Sequence, residues 1–256
     1  MAFIQHKVFI TGAGSGIGKA CALHFINKGW FVAATDINLE SLSYLSNDYS
    51  SQCFIAKMDV TNPQHVKDVF DRYALEQENL DVLVNNAGVL QMGLFENIRL
   101  EDHLKTIQVN FSGVTSCAYT ALSLLKQSAN SRIINISSSA AVHGMPEFSV
   151  YSATKNAVSA LTEALNIELK KHGVYVCDIR PVFVDTPMLS DADYKAKSLT
   201  RMGASLSPDD VAEVVWQATQ TNKLHWNVGA VQKALSFILA ALPFAKHRII
   251  ASFMPS

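Results

Sequence analysis

The chain has 256 residues, 49% of them apolar and 17% charged, which supplies one large core and excludes an intrinsically disordered chain. Twenty-one Lys and Arg against 22 Asp and Glu leave a formal net charge of -1, which argues against a surface built to coat nucleic acid or anionic lipid. Cys21, Cys53, Cys117 and Cys177 lie far apart with no CxxC or Cys/His cluster, so reduced buried thiols are expected, with no zinc site and no disulfide framework.

The opening MAFIQHKVFITG has neither a charged leader nor a cleavage pattern, and no stretch reaches the roughly 18 to 20 apolar residues of a spanning helix. A cytoplasmic protein is expected. Strands are predicted over 7–11, 31–36, 53–59, 81–85, 132–137 and 174–180. Each is apolar on both faces, as a covered parallel strand should be. Helices are predicted over 18–28, ending at Gly29; over 63–77, with Asn62 as N-cap and Pro63 at the first position; over 100–126; over 151–172, before Gly173; and over 208–221, capped by Ser207. Strands alternating with helices imply an α/β fold with a doubly wound parallel sheet, in a single domain spanning 1–256. Residues 188–206 read as a mobile substrate segment, and 233–256 as an apolar tail.

The first strand runs into Thr11-Gly12-Ala13-Gly14-Ser15-Gly16-Ile17-Gly18 at the start of a helix. Glycines permit a tight turn and close backbone approach, and helix N-terminal N–H groups suit a pyrophosphate. Gly12, Ser15, Gly16, Ile17 and Gly18 are therefore cofactor-binding candidates. The second strand ends in Asp36, where a carboxylate can accept from both ribose hydroxyls and repels a 2′-phosphate. Ala13, Ser15, Ile37 and Asn38 bring no positive charge, so the expected cofactor is NAD. Capping a turn is the plainer alternative for Asp36.

Tyr151 and Lys155 stand at i and i+4 on one helix face, which sets an ammonium beside a phenol and favours the phenolate. Ser137-Ser138-Ser139 follows the strand over 132–137, Asn85-Asn86-Ala87-Gly88 follows an earlier strand, and Asn110 lies within a helical stretch. In this order and spacing the motifs resemble the short-chain dehydrogenase/reductase family, over about residues 5–221. The resemblance implies a Rossmann-type sheet and hydride transfer between NAD(H) and a secondary alcohol or ketone. It implies Tyr151 as acid/base, Lys155 as the group that lowers its pKa and binds ribose, Ser138 rather than its neighbours as the catalytic serine, and Asn110 holding a water in a proton relay. Asp59 and Val60 match an adenine-contacting pair, Asn86, Ala87 and Gly88 a ribose-lining segment, and Pro181, Val184 and Thr186 a carboxamide-holding segment. Val182 stands where relatives usually carry glycine, so strain is expected there if the backbone has positive φ.

Leu90, Met92, His143, Met145, Phe148, Phe183, Met188, Tyr194, Leu199 and Met202 suggest a lipophilic small-molecule substrate; several could equally pack the core. A nucleotide-sugar epimerase would need a longer C-terminal region. A non-catalytic NAD-binding regulator would be expected to lack one of Asn110, Ser138, Tyr151 or Lys155. The tail over 233–256 has three readings: packing in a subunit interface, covering the pocket, or peripheral contact with a membrane surface. The first makes the protein a homo-oligomer, a dimer or tetramer, and is the one expected.

Overall fold

The computed structural model describes residues 5–46, 49–190, 194–197, 199 and 206–229. The tail over 233–256, with its interface, cover and membrane readings, lies outside them, as does most of 188–206.

Six strands form where the alternation predicts: β1 (Lys7–Thr11), β2 (Phe31–Asp36), β3 (Cys53–Lys57), β4 (Val82–Asn85), β5 (Arg132–Ile136) and β6 (Tyr175–Pro181). A seventh, β7 (His225–Val228), was not predicted. Its four residues carry no periodic run, and it exists because β6 templates it, Asp178 opposite His225 through Pro181 opposite Val228. All pairs are parallel, in the order β3-β2-β1-β4-β5-β6-β7. The chain builds outward from β1 to β3, then returns to β4 on the other side. That reversal leaves a crevice above the carboxyl ends of β1 and β4, where doubly wound sheets bind ligands.

Helices α1 (Gly16–Asn27), α2 (Pro63–Glu76), α3 (Leu100–Ile107), α4 (Val114–Leu125), α5 (Ser149–Glu168) and α6 (Pro208–Gln220) cover both faces. Val8 and Ile10 of β1 pack into one core with α1 and α6, while Phe9 enters the opposite core with α2 and α4. Two-sided burial is why these strands read as continuous apolar runs. The caps of α2 and α6 form as expected: Asn62 accepts from Gln64 N at 3.0 Å and His65 N at 3.1 Å, and Ser207 and Asp210 make a reciprocal capping box.

The predicted helix over 100–126 is interrupted. Residues Gln108–Gly113 widen into a π-helical turn between α3 and α4. Gly113 makes this possible, since a Cβ there would lie 2.8 Å from Val60 Cγ2. Such turns reorient side chains out of helical phase, and here Asn110 swings fully inside. No helix among the described residues is long and apolar enough to cross a membrane. All four cysteines are free; burial pushes the Cys21, Cys117 and Cys177 thiols up to about 12.

Candidate active site

The glycine turn is bolted to the chain that follows β4. Thr11 Oγ1 accepts from Asn86 N and Ala87 N, both at 3.0 Å, and Asn86 Nδ2 donates to Thr11 O at 3.0 Å and Gly12 O at 2.8 Å. Gly12 (φ +66°) and Gly16 (φ +50°) take left-handed conformations, and a Cβ on Gly12 would sit 2.8 Å from Ala87 Cα. Gly18 is not part of the cleft wall. It lets α1 pack onto the turn, because a Cβ there would fall 2.0 Å from Gly12 O.

Ser15 precedes α1 in extended conformation and makes no side-chain cap bond, in contrast to the starts of α2 and α6. The first amides of α1 are thus left for a ligand at the mouth of a cleft of about 400 Å³, whose wall includes Gly12, Ser15, Gly16 and Ile17. Asp36 borders the same cleft. Its Oδ2 accepts from Gly14 N at 2.9 Å and its Oδ1 from Asn38 N at 3.0 Å, so the turn-capping reading is also met, with a lone pair left on each oxygen. Lys57, its register partner on β3, is exposed and lies off the cleft wall. Asp59 and Val60 line the cleft, although the Asp59 carboxylate turns to Thr61, accepting from its N at 2.9 Å and its hydroxyl at 2.7 Å. Asn86, Ala87, Gly88, Pro181, Val184 and Thr186 also lie on the wall. An uncapped helix start, a glycine cradle that a Cβ would fill and a carboxylate at the end of β2 together fit a dinucleotide.

Deeper in the cleft stand Ser138, Tyr151 and Lys155. Of the three serines after β5, Ser137 is committed to Lys155 O at 3.2 Å. Ser138 is oriented by Ala140 N at 3.1 Å and hydrogen-bonds with the Tyr151 phenol. Lys155 is 5% exposed; its Nζ donates to Ile136 O at 2.8 Å and stands 5.7 Å from the centre of the Tyr151 ring. The charge states differ from the expectation. Burial raises the Tyr151 phenol above its ordinary value, with the Ser138 hydrogen bond as the opposing influence. Burial also pulls the Lys155 ammonium down to about 8. Desolvation penalises both ions, and proximity alone does not offset that.

Asn110 is behind the wall rather than on it. Its side chain pairs with both backbone groups of Val89, accepting from N and donating to O at 2.8 Å each. Gly88 borders both Asn110 and Lys155: a Cβ there would stand at ordinary contact distance, 3.4 Å from Asn110 Oδ1 and 3.8 Å from Lys155 Nζ. Val182 causes no strain. The non-glycine residues with positive φ among those described are Asn130 and Glu147.

On the far side the wall is apolar. Leu90, Met145, Phe148, Phe183 and Met188 line the cleft, and Met92 and Leu199 pack behind them; Met202 lies outside the described residues and His143 is not on the wall. The sequence reading missed Glu147, a buried carboxylate next in the chain to Phe148 of this cluster. A single glutamate between Pro146 and Phe148 gives no signal of its fate.

A family model described as short chain dehydrogenase matches residues 6–197. The chain belongs to that family. It is an oxidoreductase that works with a nicotinamide cofactor. Among its relatives, the 3-oxoacyl-[acyl-carrier-protein] reductase FabG of Thermotoga maritima is 33% identical over 222 residues, covering 83% of this chain and 89% of the relative. The NADP-dependent 3-hydroxy acid dehydrogenase YdfG of Escherichia coli O6:H1 is 31% identical over 231 residues, covering 88% and 93%. The solved structure of a 3-ketoacyl-(acyl-carrier-protein) reductase from Brucella melitensis complexed with NADH superposes with a TM-score of 0.79 at 27% identity, covering 87% of this chain and 96% of that one.

Proposed function

We propose that the protein interconverts a secondary alcohol and its ketone with NAD(H), and that the substrate carries an apolar body. The observation that carries this reading is the half-buried Tyr151, its phenol beside Ser138 and flanked by Lys155, next to a wall of Leu90, Met145, Phe148 and Phe183. The names of the FabG and YdfG relatives describe ketone reduction and hydroxy-acid oxidation, both alcohol–ketone interconversions, which supports the reaction class.

Oxidation removes one hydride and one proton from the alcohol. The nicotinamide, when bound, supplies the hydride-accepting carbon. Tyr151, as phenolate, takes the alcohol proton on Oη, while the Ser138 hydroxyl donates to the reacting oxygen and fixes its position. Lys155 favours the phenolate by its charge, and a water between Lys155 and Asn110 carries the proton onward. Reduction runs through the same groups in reverse.

NAD is preferred over NADP because the free lone pairs of Asp36 accept ribose hydroxyls and its charge repels a 2′-phosphate. The NADP dependence in the name of YdfG makes this the point to test. The experiment is a screen of secondary alcohols with NAD⁺ and NADP⁺ in parallel, with Tyr151→Phe as control. NAD-linked turnover of apolar alcohols that vanishes in the variant is expected; equal efficiency with both cofactors, or activity confined to sugars, would overturn the respective half.

A further inference from the structure

Glu147 adopts φ +63°, a region that L side chains avoid and glycine occupies freely. The side chain that keeps it there is a carboxylate only 6% exposed, next in the chain to Phe148 of the apolar cluster but off the cleft wall itself. Burying a carboxylate is unfavourable unless it is well hydrogen-bonded, and this one is. Its Oε1 accepts from Tyr194 Oη at 2.5 Å and its Oε2 from Lys197 N at 2.8 Å. The hydrogen bond to Glu147 raises the Tyr194 phenol, which therefore stays a donor at working pH. The Glu147 carbonyl accepts from Gly93 N at 2.9 Å.

Three distant pieces of chain thus meet at one residue. Each brings a member of the same apolar cluster: Met92 beside Gly93, Phe148 beside Glu147, and Ala196 with Leu199 from the segment that Tyr194 and Lys197 belong to. Ala196 is fully buried, between two residues tied to Glu147.

We propose that Glu147 is a positioning residue for substrate selection: by holding Tyr194 and Lys197 it seats Ala196 and Leu199 behind the apolar wall, as the backing that keeps Leu90, Met145, Phe148 and Phe183 in place. The substrate half of this rests on the alcohol–ketone reading above. Its consequence is selective. A long apolar substrate needs the seated wall, whereas a short one reaches Ser138 and Tyr151 without it.

The test uses Glu147→Gly, which removes the carboxylate and relieves the backbone, with Tyr194→Phe removing the other half of one bond. With NAD⁺, KM for 2-decanol should rise about tenfold, the effect of losing one charge-assisted hydrogen bond, while KM for 2-butanol and both kcat values stay within about twofold. The melting temperature should hold, since glycine suits this conformation. Tryptic cleavage after Lys195 and Lys197 should accelerate in both variants. Glu147→Gln keeps an acceptor and should restore part of each effect. A lowered melting temperature with KM unchanged for both alcohols would assign Glu147 a merely structural role, and an equal rise for both would remove the selectivity; either overturns the proposal. If the unmodified protein oxidises neither alcohol, the alcohol reading fails on its own, and the proteolysis alone then decides whether Glu147 holds the segment.

Discussion

Lys155 should be a residue the fold carries at a loss. Its ammonium is buried, and its pKa falls from 10.5 to about 8 because burial penalises the charge. At about 1.4 kcal/mol per pH unit, that drop corresponds to about 3 kcal/mol of destabilisation in the range where the unfolded chain and the fold both hold the proton, below pH 8. Lys155→Met removes the charge and keeps most of the volume. It also leaves Ile136 O without its donor, which offsets about 1 kcal/mol. The net expectation is a gain of about 2 kcal/mol at pH 7, or roughly 4 to 8 °C in melting temperature for a chain of this size. Between about 8 and 10.5 the unfolded chain binds the proton and the fold does not, so the stability of the unmodified protein rises with pH and the advantage of the variant shrinks. Urea unfolding of both proteins without nucleotide, at pH 7 and pH 10, measures this directly. A variant less stable than its parent at pH 7, or a difference that is flat between the two pH values, would refute the reasoning.

Tyr151→Phe should lower turnover by about 10²- to 10⁴-fold, the usual contribution of a positioned acid/base, while NADH binding followed by fluorescence changes less than about twofold; retention of a tenth of the activity would remove Tyr151 from the chemistry. In the unmodified enzyme, kcat/KM for oxidation should rise with pH as the Tyr151–Lys155 pair gives up its first proton, and a flat profile between pH 6 and 10 would contradict it. Asp36→Ala should narrow the NAD-over-NADP ratio of kcat/KM by about 10- to 100-fold, the worth of charge-assisted bonds to ribose; an unchanged ratio would place the discrimination elsewhere. Gly12→Ala combines a left-handed backbone, which costs about 1 to 2 kcal/mol, with a Cβ that would lie 2.8 Å from Ala87 Cα. Its melting temperature and NADH affinity should both fall, and an unaffected affinity would mean that the turn does not set the cofactor's place.

Much of the molecule is written locally. The glycine turn, the two-sided apolar strands, the caps at Asn62 and Ser207 and the i, i+4 spacing of Tyr151 and Lys155 depend on near neighbours in the chain. A single sequence therefore determines them, together with the α/β class and the family. What the sequence left undecided depends on residues that meet only in the fold. Four residues over His225–Val228 become a strand because β6 offers them a ladder. Asn110 leaves helical phase because Gly113 makes room for Val60. Asn86 turns its amide onto the glycine turn 74 and 75 positions earlier. The spacing of Tyr151 and Lys155 says they are neighbours, but their charge states follow from how completely the surrounding elements exclude water, which no local pattern encodes. Glu147 is the extreme case. Its left-handed backbone and buried carboxylate make sense only beside Gly93, Tyr194 and Lys197, contacts fixed by tertiary packing and invisible to any reading of its neighbours.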